Sequence, residues 1–445
     1  MNFASKGLAG FLVCVCCSQL LAKEAEKKDM APYRELEIFA RVLHYIDENY
    51  VDQVDSKELI TGAVKGMLHT LDPHSAYMPP RMYKDFREDT SGQFGGVGIE
   101  LGYQDKVLTV IAPIEDSPAF KAGVLAGDKI VKINGKITRQ MSIPDAAVVL
   151  KGKPGSNVVL TIKRDSNPNF IDIKVKRSVI KISTVKSTLF HDDTGYIRIN
   201  SFGELTAKDV AKAIDKLQEK KTIHGLVLDL RGNPGGLLDQ GIRVANLFID
   251  EGPIVYTISR DKSKKEVESA LRGRRLTKLP LVVLVDGSSA SASEIVAGAL
   301  QDYGRGIIAG QRTFGKGSVQ SVIPLSNDAG LKLTVARYYT PSGRSIQAKG
   351  IEPDVPLDYV DEKTLKAIRE QNKTIREKDL EGHFENEAES SKSAPPVISA
   401  QTRIAAGLEN DYMFLQARGI LKTMSIVRDG KQKVPEFKLQ EEKAK

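Results

Sequence analysis

From about Ile180 the sequence alternates strand and helix patterns: a strand over Tyr196 to Ile199, a helix over Thr206 to Lys220, a strand over Leu226 to Leu230, a helix over Leu238 to Phe248, a strand over Leu281 to Val285 and a helix over Glu294 to Tyr303. That order predicts an α/β core whose site lies at strand ends. Different patterns flank it. Leu36, Phe39, Val42, Leu43 and Ile46 recur at helical spacing, and Leu59, Ala63 and Met67 repeat it, which predicts a small helical module. Leu71-Asp72-Pro73-His74-Ser75 ends the second helix, because proline disfavours helical geometry in the residue before it, and His74 reads as a turn hydrogen-bonder. Period-two segments start at Phe94 with a strand over Val97 to Leu101, and are interrupted by short helices at Ser117 to Ala122 and Ser142 to Lys151. They predict a partly open β-barrel.

The 445 residues are too many for one core, since domains hold about 100 to 200 residues. The pattern divides the chain into an N-terminal leader (1–22), a helical module (23–91), the barrel (92–179), the α/β core (180–359) and a charged linker with a C-terminal helical segment (360–445), the last helix spanning Ile404 to Ile420. Apolar residues at 41% and charged residues at 27% fit globular domains and exclude a disordered or multi-span membrane chain. A net charge of +8 is too mild to demand nucleic acid. The densest basic stretch, Arg260 to Lys278, has no aromatic residue for base stacking and reads as a solvated loop.

Lys6 precedes the apolar run Gly7 to Leu21, and Ala22 offers a small residue for cleavage. This reads as a secretory signal peptide, with an uncleaved membrane anchor as the alternative. All three cysteines, Cys14, Cys16 and Cys17, lie inside it, so the expected mature chain has no thiol nucleophile, zinc–thiolate site or disulfide.

Three segments carry chemistry. Gly287-Ser288-Ser289-Ala290-Ser291-Ala292-Ser293-Glu294 joins the Leu281–Val285 strand to a helix. A serine there presents its hydroxyl where free N–H groups and the helix dipole stabilise an oxyanion, although the same residues also spell a helix cap with Glu294 completing a capping box. The chain has no histidine between His224 and His383, so a lysine is the alternative base. Lys316 stands in Thr313-Phe314-Gly315-Lys316-Gly317-Ser318-Val319-Gln320. To accept a proton a lysine must fall from near 10.4 to about 7 or 8, roughly 4 kcal/mol that desolvation supplies. A Gly-rich turn with Lys316 in water is the competing reading, and the spacing does not fit a phosphate loop. Asp229-Leu230-Arg231-Gly232-Asn233-Pro234-Gly235-Gly236 leaves a buried strand and aims backbone N–H groups into a site, or simply turns before a helix.

In order and number these motifs resemble the carboxyl-terminal processing peptidases, or tail-specific proteases. The likeness also includes Phe94-Gly95-Gly96-Val97-Gly98, Ala126-Gly127-Asp128-Lys129-Ile130, Tyr339-Thr340-Pro341-Ser342-Gly343 and Gly350-Ile351-Glu352-Pro353-Asp354. The resemblance implies a serine peptidase with a Ser/Lys pair on a crotonase-like α/β core, carrying an inserted PDZ β-barrel between helical N- and C-terminal segments. It assigns Ser291 as nucleophile, three residues before Glu294, with Ser289 and Ser293 as rivals. Lys316 becomes the general base and Gln320 the residue that orients it. The oxyanion donors are Ala292 N–H and an N–H of Gly235 or Gly236.

In the barrel, Gly95, Gly96 and Gly98 leave backbone uncovered, which agrees with capture of a terminal carboxylate and addition of the peptide as a strand. Gly96, Val97, Gly98 and Ile99 are the peptide-binding candidates, and Val97, Ile99, Ala147 and Leu150 would form the apolar pocket.

The expected protein is an exported, most simply periplasmic, serine endopeptidase acting on protein C-termini without metal or cofactor. An inert PDZ scaffold and a crotonase-like acyl transfer enzyme are the alternatives. Homo-oligomers built from the terminal helices and a lipoprotein adaptor follow from the resemblance alone.

Overall fold

The first helical period forms α1 (34–49) and the second forms α2 (Ser56–His69), which starts where the Asp55 carboxylate accepts the N–H of Lys57 at 2.8 Å. The computed structural model describes residues 34–220, 223–358, 364 and 408–429. The signal segment, its three cysteines and nearly all of the charged stretch from 361 to 392 lie outside them.

Two compact units divide the chain. The first holds α1, α2 and β1 (Ala76–Met78), which pairs antiparallel with residues 330–332. The Asp72 carboxylate organises the turn before β1, accepting the N–H groups of His74 and Ser75 at 2.7 and 2.8 Å and the Ser75 hydroxyl at 2.8 Å.

The second unit opens with α3 (Pro80–Ser91) and continues into the barrel: β2 (Gln93–Gly96), β3 (Ile99–Gln104), β4 (Val107–Pro113), α4 (Pro118–Lys121), β5 (Lys129–Ile133), β6 (Lys136–Ile137), α5 (Ile143–Leu150), β7 (Asn157–Lys163), β8 (Phe170–Lys176) and β9 (Ser178–Lys181). Ser117 and Ser142 cap α4 and α5, as their positions ahead of the apolar residues require. Strands run in the order β3-β4-β5-β7-β8, all antiparallel, with β3 at the edge, while β2 pairs with β9 and brings the two ends of the segment together. Val97 and Gly98 stand between β2 and β3 rather than in the expected strand, and Val97 is buried in the barrel core with Leu108, Val110, Ile130 and Ile162.

The core elements follow: β10 (Val185–Leu189), β11 (Thr194–Ile199), α6 (Thr206–Lys220), β12 (Gly225–Asp229), α7 (Leu238–Asn246), β13 (Pro253–Ser259), β14 (Lys265–Ser269), β15 (Leu281–Val285), α8 (Ala292–Asp302), β16 (Ile307–Gly310), β17 (Ser318–Pro324), β18 (Gly330–Tyr339), β19 (Val355–Pro356) and α9 (Tyr412–Asp429). The main sheet has the order β10-β11-β12-β15-β16-β19, parallel from β11 onward. Its central strands are buried on both faces, which is why they read as unbroken apolar runs. Leu226, Leu228, Leu281, Val283 and Val285 face a core shared with α6, α7 and α8. Val227, Val282 and Leu284 face Phe414, Ala417 and Leu421 of α9.

That last helix corrects an expectation. The helix expected at Ile404 to Ile420 runs, among the described residues, from Tyr412 to Asp429, and its Phe414, Ala417 and Leu421 cover its own sheet. Residues 404–407 are not among those described. The basic stretch Arg260 to Lys278 is also not simply a loop: it contains β14, antiparallel to β13, with the Lys265 ammonium 3.4 Å from the Tyr256 ring centroid. Its charges stay in water because β14 is exposed throughout.

Candidate functional site

Two parallel strands deliver the site. At the end of β15 the Asp286 carboxylate accepts the N–H of Ser288 at 2.9 Å and that of Gly232, from the loop after β12, at 3.0 Å. The chain then enters α8 through Ser291, whose φ of 57° and ψ of −114° lie in a region that costs a non-glycine residue about 1–3 kcal/mol. Such strain persists only where surrounding bonds fix it.

The bonds come from Glu294. This fully buried carboxylate accepts four donors: the Ser291 N–H at 2.8 Å, the Lys316 N–H at 2.9 Å, the Gly315 N–H at 2.7 Å and the Thr313 hydroxyl at 2.6 Å. Burial pushes its pKa up, and the four donors oppose the shift by favouring the anion. The sequence shows Glu294 only as a helix-capping residue. In the fold it joins the serine turn to the lysine loop.

The three serines differ in what their hydroxyls do. Ser289 is fully buried and donates to the Leu230 carbonyl at 2.8 Å, and Ser293 is fully buried and donates to the Asn233 carbonyl at 3.0 Å. Ser291 is half-buried, and its hydroxyl meets that of Tyr338. Tyr338 is a residue that sequence reasoning missed. It is buried, donates its hydroxyl to the Lys316 carbonyl and its backbone N–H to the Gly317 carbonyl at 3.0 Å, and so grips both peptides after Lys316. Burial, then the nearby Glu294 charge, hold its pKa well above the ordinary tyrosine value, so it remains a donor.

Gln320 lies on β17, two residues beyond Ser318. Its Nε2 donates to the Ser318 hydroxyl at 2.9 Å and contacts the Thr334 hydroxyl at 3.4 Å, and Oε1 is the acceptor of the amide.

Ala292 is the first residue of α8, where backbone N–H groups have no partner within the helix. Against it lies Gly235, with φ +96°: a Cβ there would stand 2.7 Å from the Ser291 Cβ and 3.0 Å from the Ala292 nitrogen. Only glycine permits this approach. The Gly235 N–H donates to the Asn233 side-chain oxygen at 2.9 Å, while the Asn233 amide donates to the Ile199 carbonyl at 2.8 Å. Asn233, fully buried, thus shapes the loop from inside. Among the described residues, no cluster of three or more His, Cys, Asp or Glu could hold a metal ion.

The barrel candidates also have defined places. Gly96 closes β2, Gly98 has φ +77° and its carbonyl accepts from the Ile114 N–H at 2.9 Å, and Ile99 begins the edge strand β3. Nearby, the Lys151 ammonium lies 3.0 Å from Glu88 and 4.9 Å from the Phe94 ring centroid.

Comparison with known proteins matches this organisation. The profile of Peptidase family S41 fits residues 193–357, that of a PDZ domain fits 109–164, and that of the Activating protease CtpB N-terminal domain fits 16–81. A Carboxy-terminal-processing protease of Bartonella bacilliformis is 43% identical over 365 residues, spanning 81% of this chain and 83% of that protein. Carboxy-terminal processing protease CtpA of Bacillus subtilis is 41% identical over 317 residues, spanning 71% of this chain and 67% of that protein. A solved photosystem II D1 C-terminal processing protease is 33% identical, covering 72% of this chain and 92% of its own at a TM-score of 0.42. The 43% identity to the Bartonella protein, over most of both sequences, shows that the chain belongs to the carboxy-terminal processing proteases, serine-type hydrolases of peptidase family S41 that carry a PDZ domain.

Proposed function

We propose that the protein is an exported endopeptidase that takes protein C-termini on its PDZ domain and cleaves peptide bonds with Ser291 as nucleophile and Lys316 as general base. The observation that carries this reading is the shared Glu294 carboxylate, which holds the backbones of Ser291 and Lys316 together. The neutral Lys316 amine takes the proton from the Ser291 hydroxyl as Oγ attacks the substrate carbonyl. The ammonium then protonates the leaving amine, and water hydrolyses the acyl-enzyme by the same route in reverse. Gln320 orients the lysine through Oε1.

The oxyanion takes the Ala292 N–H and the N–H of Gly236. Gly236 is preferred to Gly235 because the latter donates within its own turn to Asn233. Removing one such donor lowers the rate by about a hundred- to a thousandfold. Ser289 and Ser293 are disfavoured as nucleophiles by their burial and by the carbonyls their hydroxyls already bind.

On the PDZ domain the substrate tail adds to the open edge of β3, its terminal carboxylate against the Gly96–Gly98 backbone and its last side chain against Ile99 and Ala147. Export to the periplasm rests on Lys6 and the apolar run Gly7 to Leu21. Assembly into homo-oligomers through the terminal helices falls to α1, where Leu36, Ile38, Phe39, Val42 and Tyr45 are exposed.

Two assays test the reading. Unfolded casein is digested by wild type and left intact by folded Ser291→Ala; cleavage by the variant overturns the chemistry. Matched peptides with free and amidated C-termini then test the tail. A higher kcat/KM for the free acid, abolished by Ile99→Trp, is expected, and equal values remove tail recognition from the account.

A further inference from the structure

The loop that carries Gly235 and Gly236 is anchored from a part of the chain far beyond the peptidase profile, which ends at residue 357. The anchor is Arg231. Its guanidinium donates through Nε to Asp229 Oδ1 at 2.9 Å and through one terminal nitrogen to Asp229 Oδ2 at 2.6 Å. The other terminal nitrogen reaches the Asp411 carboxylate, 180 residues later in sequence, at 3.0 Å to Oδ1 and 2.8 Å to Oδ2. The backbone of Arg231 is fixed as well: its N–H donates to Asp229 Oδ1 at 3.0 Å and its carbonyl accepts from Arg198 at 3.2 Å.

Asp229 is fully buried and also receives the Tyr196 hydroxyl at 2.8 Å. Arg231 is nearly as buried, and the hydrogen bonds and charges of Asp229 and Asp411 outweigh the effect of burial and raise its pKa, keeping it charged. A buried guanidinium holding two carboxylates has one geometry, because its fork is planar and rigid. Taking away one carboxylate leaves a buried cation short of a partner, and the chain that carries it shifts to find water.

Asp411 has a second task. Its Oδ1 accepts the Phe414 N–H at 3.0 Å and so caps α9, the helix whose Phe414 rests on Phe190 and Tyr196 with ring centroids 4.6 and 5.2 Å apart. Packing of α9 on the sheet therefore determines where Asp411 stands, Asp411 determines where Arg231 stands, and Arg231 leads directly into Gly232–Gly236.

We propose that Asp411 is a positioning residue for the oxyanion site: the C-terminal helix, through Asp411 and Arg231, holds the glycine loop where its N–H meets the transition state. This rests on the assignment of Ser291 and of the Gly236 and Ala292 donors made above.

The test uses the full chain. Asp411→Ser keeps a helix-capping oxygen but cannot reach Arg231. It is expected to lower kcat by about tenfold or more while leaving KM within about twofold. A peptidyl boronate, whose tetrahedral adduct places an oxygen at the oxyanion position, should lose affinity by the same factor, whereas the cleaved product peptide binds as to wild type. Asp411→Glu should recover part of kcat, a response that a defect in helix capping alone does not give. Should Asp411→Ser fail to fold, Asp411→Asn carries the same test, since it keeps the cap and one acceptor and loses the charge. Wild-type kcat in the serine variant, or a loss of kcat with unchanged boronate affinity, overturns the proposal. Those outcomes are separable from failure of the underlying reading, which shows instead as activity retained by Ser291→Ala.

Discussion

Glu294 binds the backbones of Ser291 and Lys316 through one atom: the Lys316 N–H donates to the same carboxylate oxygen, at 2.9 Å, that accepts the Ser291 N–H at 2.8 Å. The serine turn and the lysine loop are thereby fixed to each other before either side chain acts. Glu294→Gln puts an amide donor against two N–H groups, at about 1–3 kcal/mol for each donor left unpaired. The expected result is a fall in kcat of about a hundredfold and a lower melting temperature; a variant with wild-type kcat contradicts this role.

The same residue gives a pH dependence. Burial raises its folded pKa, so the folded state holds the proton more tightly than the unfolded chain. Its contribution therefore favours folding below the unfolded carboxylate range and is lost as pH rises through the folded value. Activity moves the other way, because only the anion accepts all four donors. The profile of kcat should have an acid limb above the ordinary carboxylate range, and that limb should vanish in Glu294→Gln.

Tyr338→Phe removes the hydroxyl that meets Ser291 and donates to the Lys316 carbonyl, leaving that carbonyl without its donor. At about 1–2 kcal/mol this corresponds to roughly a fivefold to thirtyfold loss of kcat, with KM nearly constant. Steady-state kinetics on a peptide substrate decide it, and an unchanged kcat excludes Tyr338 from holding the lysine loop.

Glycine positions separate in the same way. At Gly235 a Cβ would stand 2.6 Å from the Ala290 carbonyl oxygen, at φ +96°, so Gly235→Ala should abolish turnover. Gly62 lies inside α2, where an added Cβ would meet nothing within 4 Å, and it should accept alanine and gain about 1 kcal/mol of helix stability. Thermal unfolding and kcat for the two variants check the contrast; an active Gly235→Ala contradicts the close approach.

How much of this was legible in the sequence follows from how local each signal is. Strand and helix alternation placed β11, β12, β15 and their helices, because burial on one or both faces writes a period into adjacent residues. The candidate residues on those loops were visible as motifs. The partners that hold them were not. Tyr338 reaches Lys316 across 22 positions and Asp411 reaches Arg231 across 180, and no local pattern marks either pairing. For the same reason the packing of α9 on the sheet was not legible: its partner strands lie more than a hundred residues earlier, in a sheet whose second face no nearby sequence covers.

That packing is itself testable. Phe414 is fully buried against Phe190 and Tyr196, so Phe414→Ala should cost about 3–5 kcal/mol of stability. The loss in melting temperature should not depend on protein concentration, as it would at a subunit interface.

The central claim is that Ser291 attacks and Lys316 takes its proton. Its most direct test is to trap the acyl-enzyme from an activated peptide ester and locate the adduct by mass spectrometry. The account predicts the added mass on Ser291 in wild type and no adduct in folded Ser291→Ala, Lys316→Ala or Lys316→Arg, since a guanidinium does not give up its proton in this range. An adduct on Ser289 or Ser293, or acylation of Ser291 at the wild-type rate in Lys316→Arg, contradicts it.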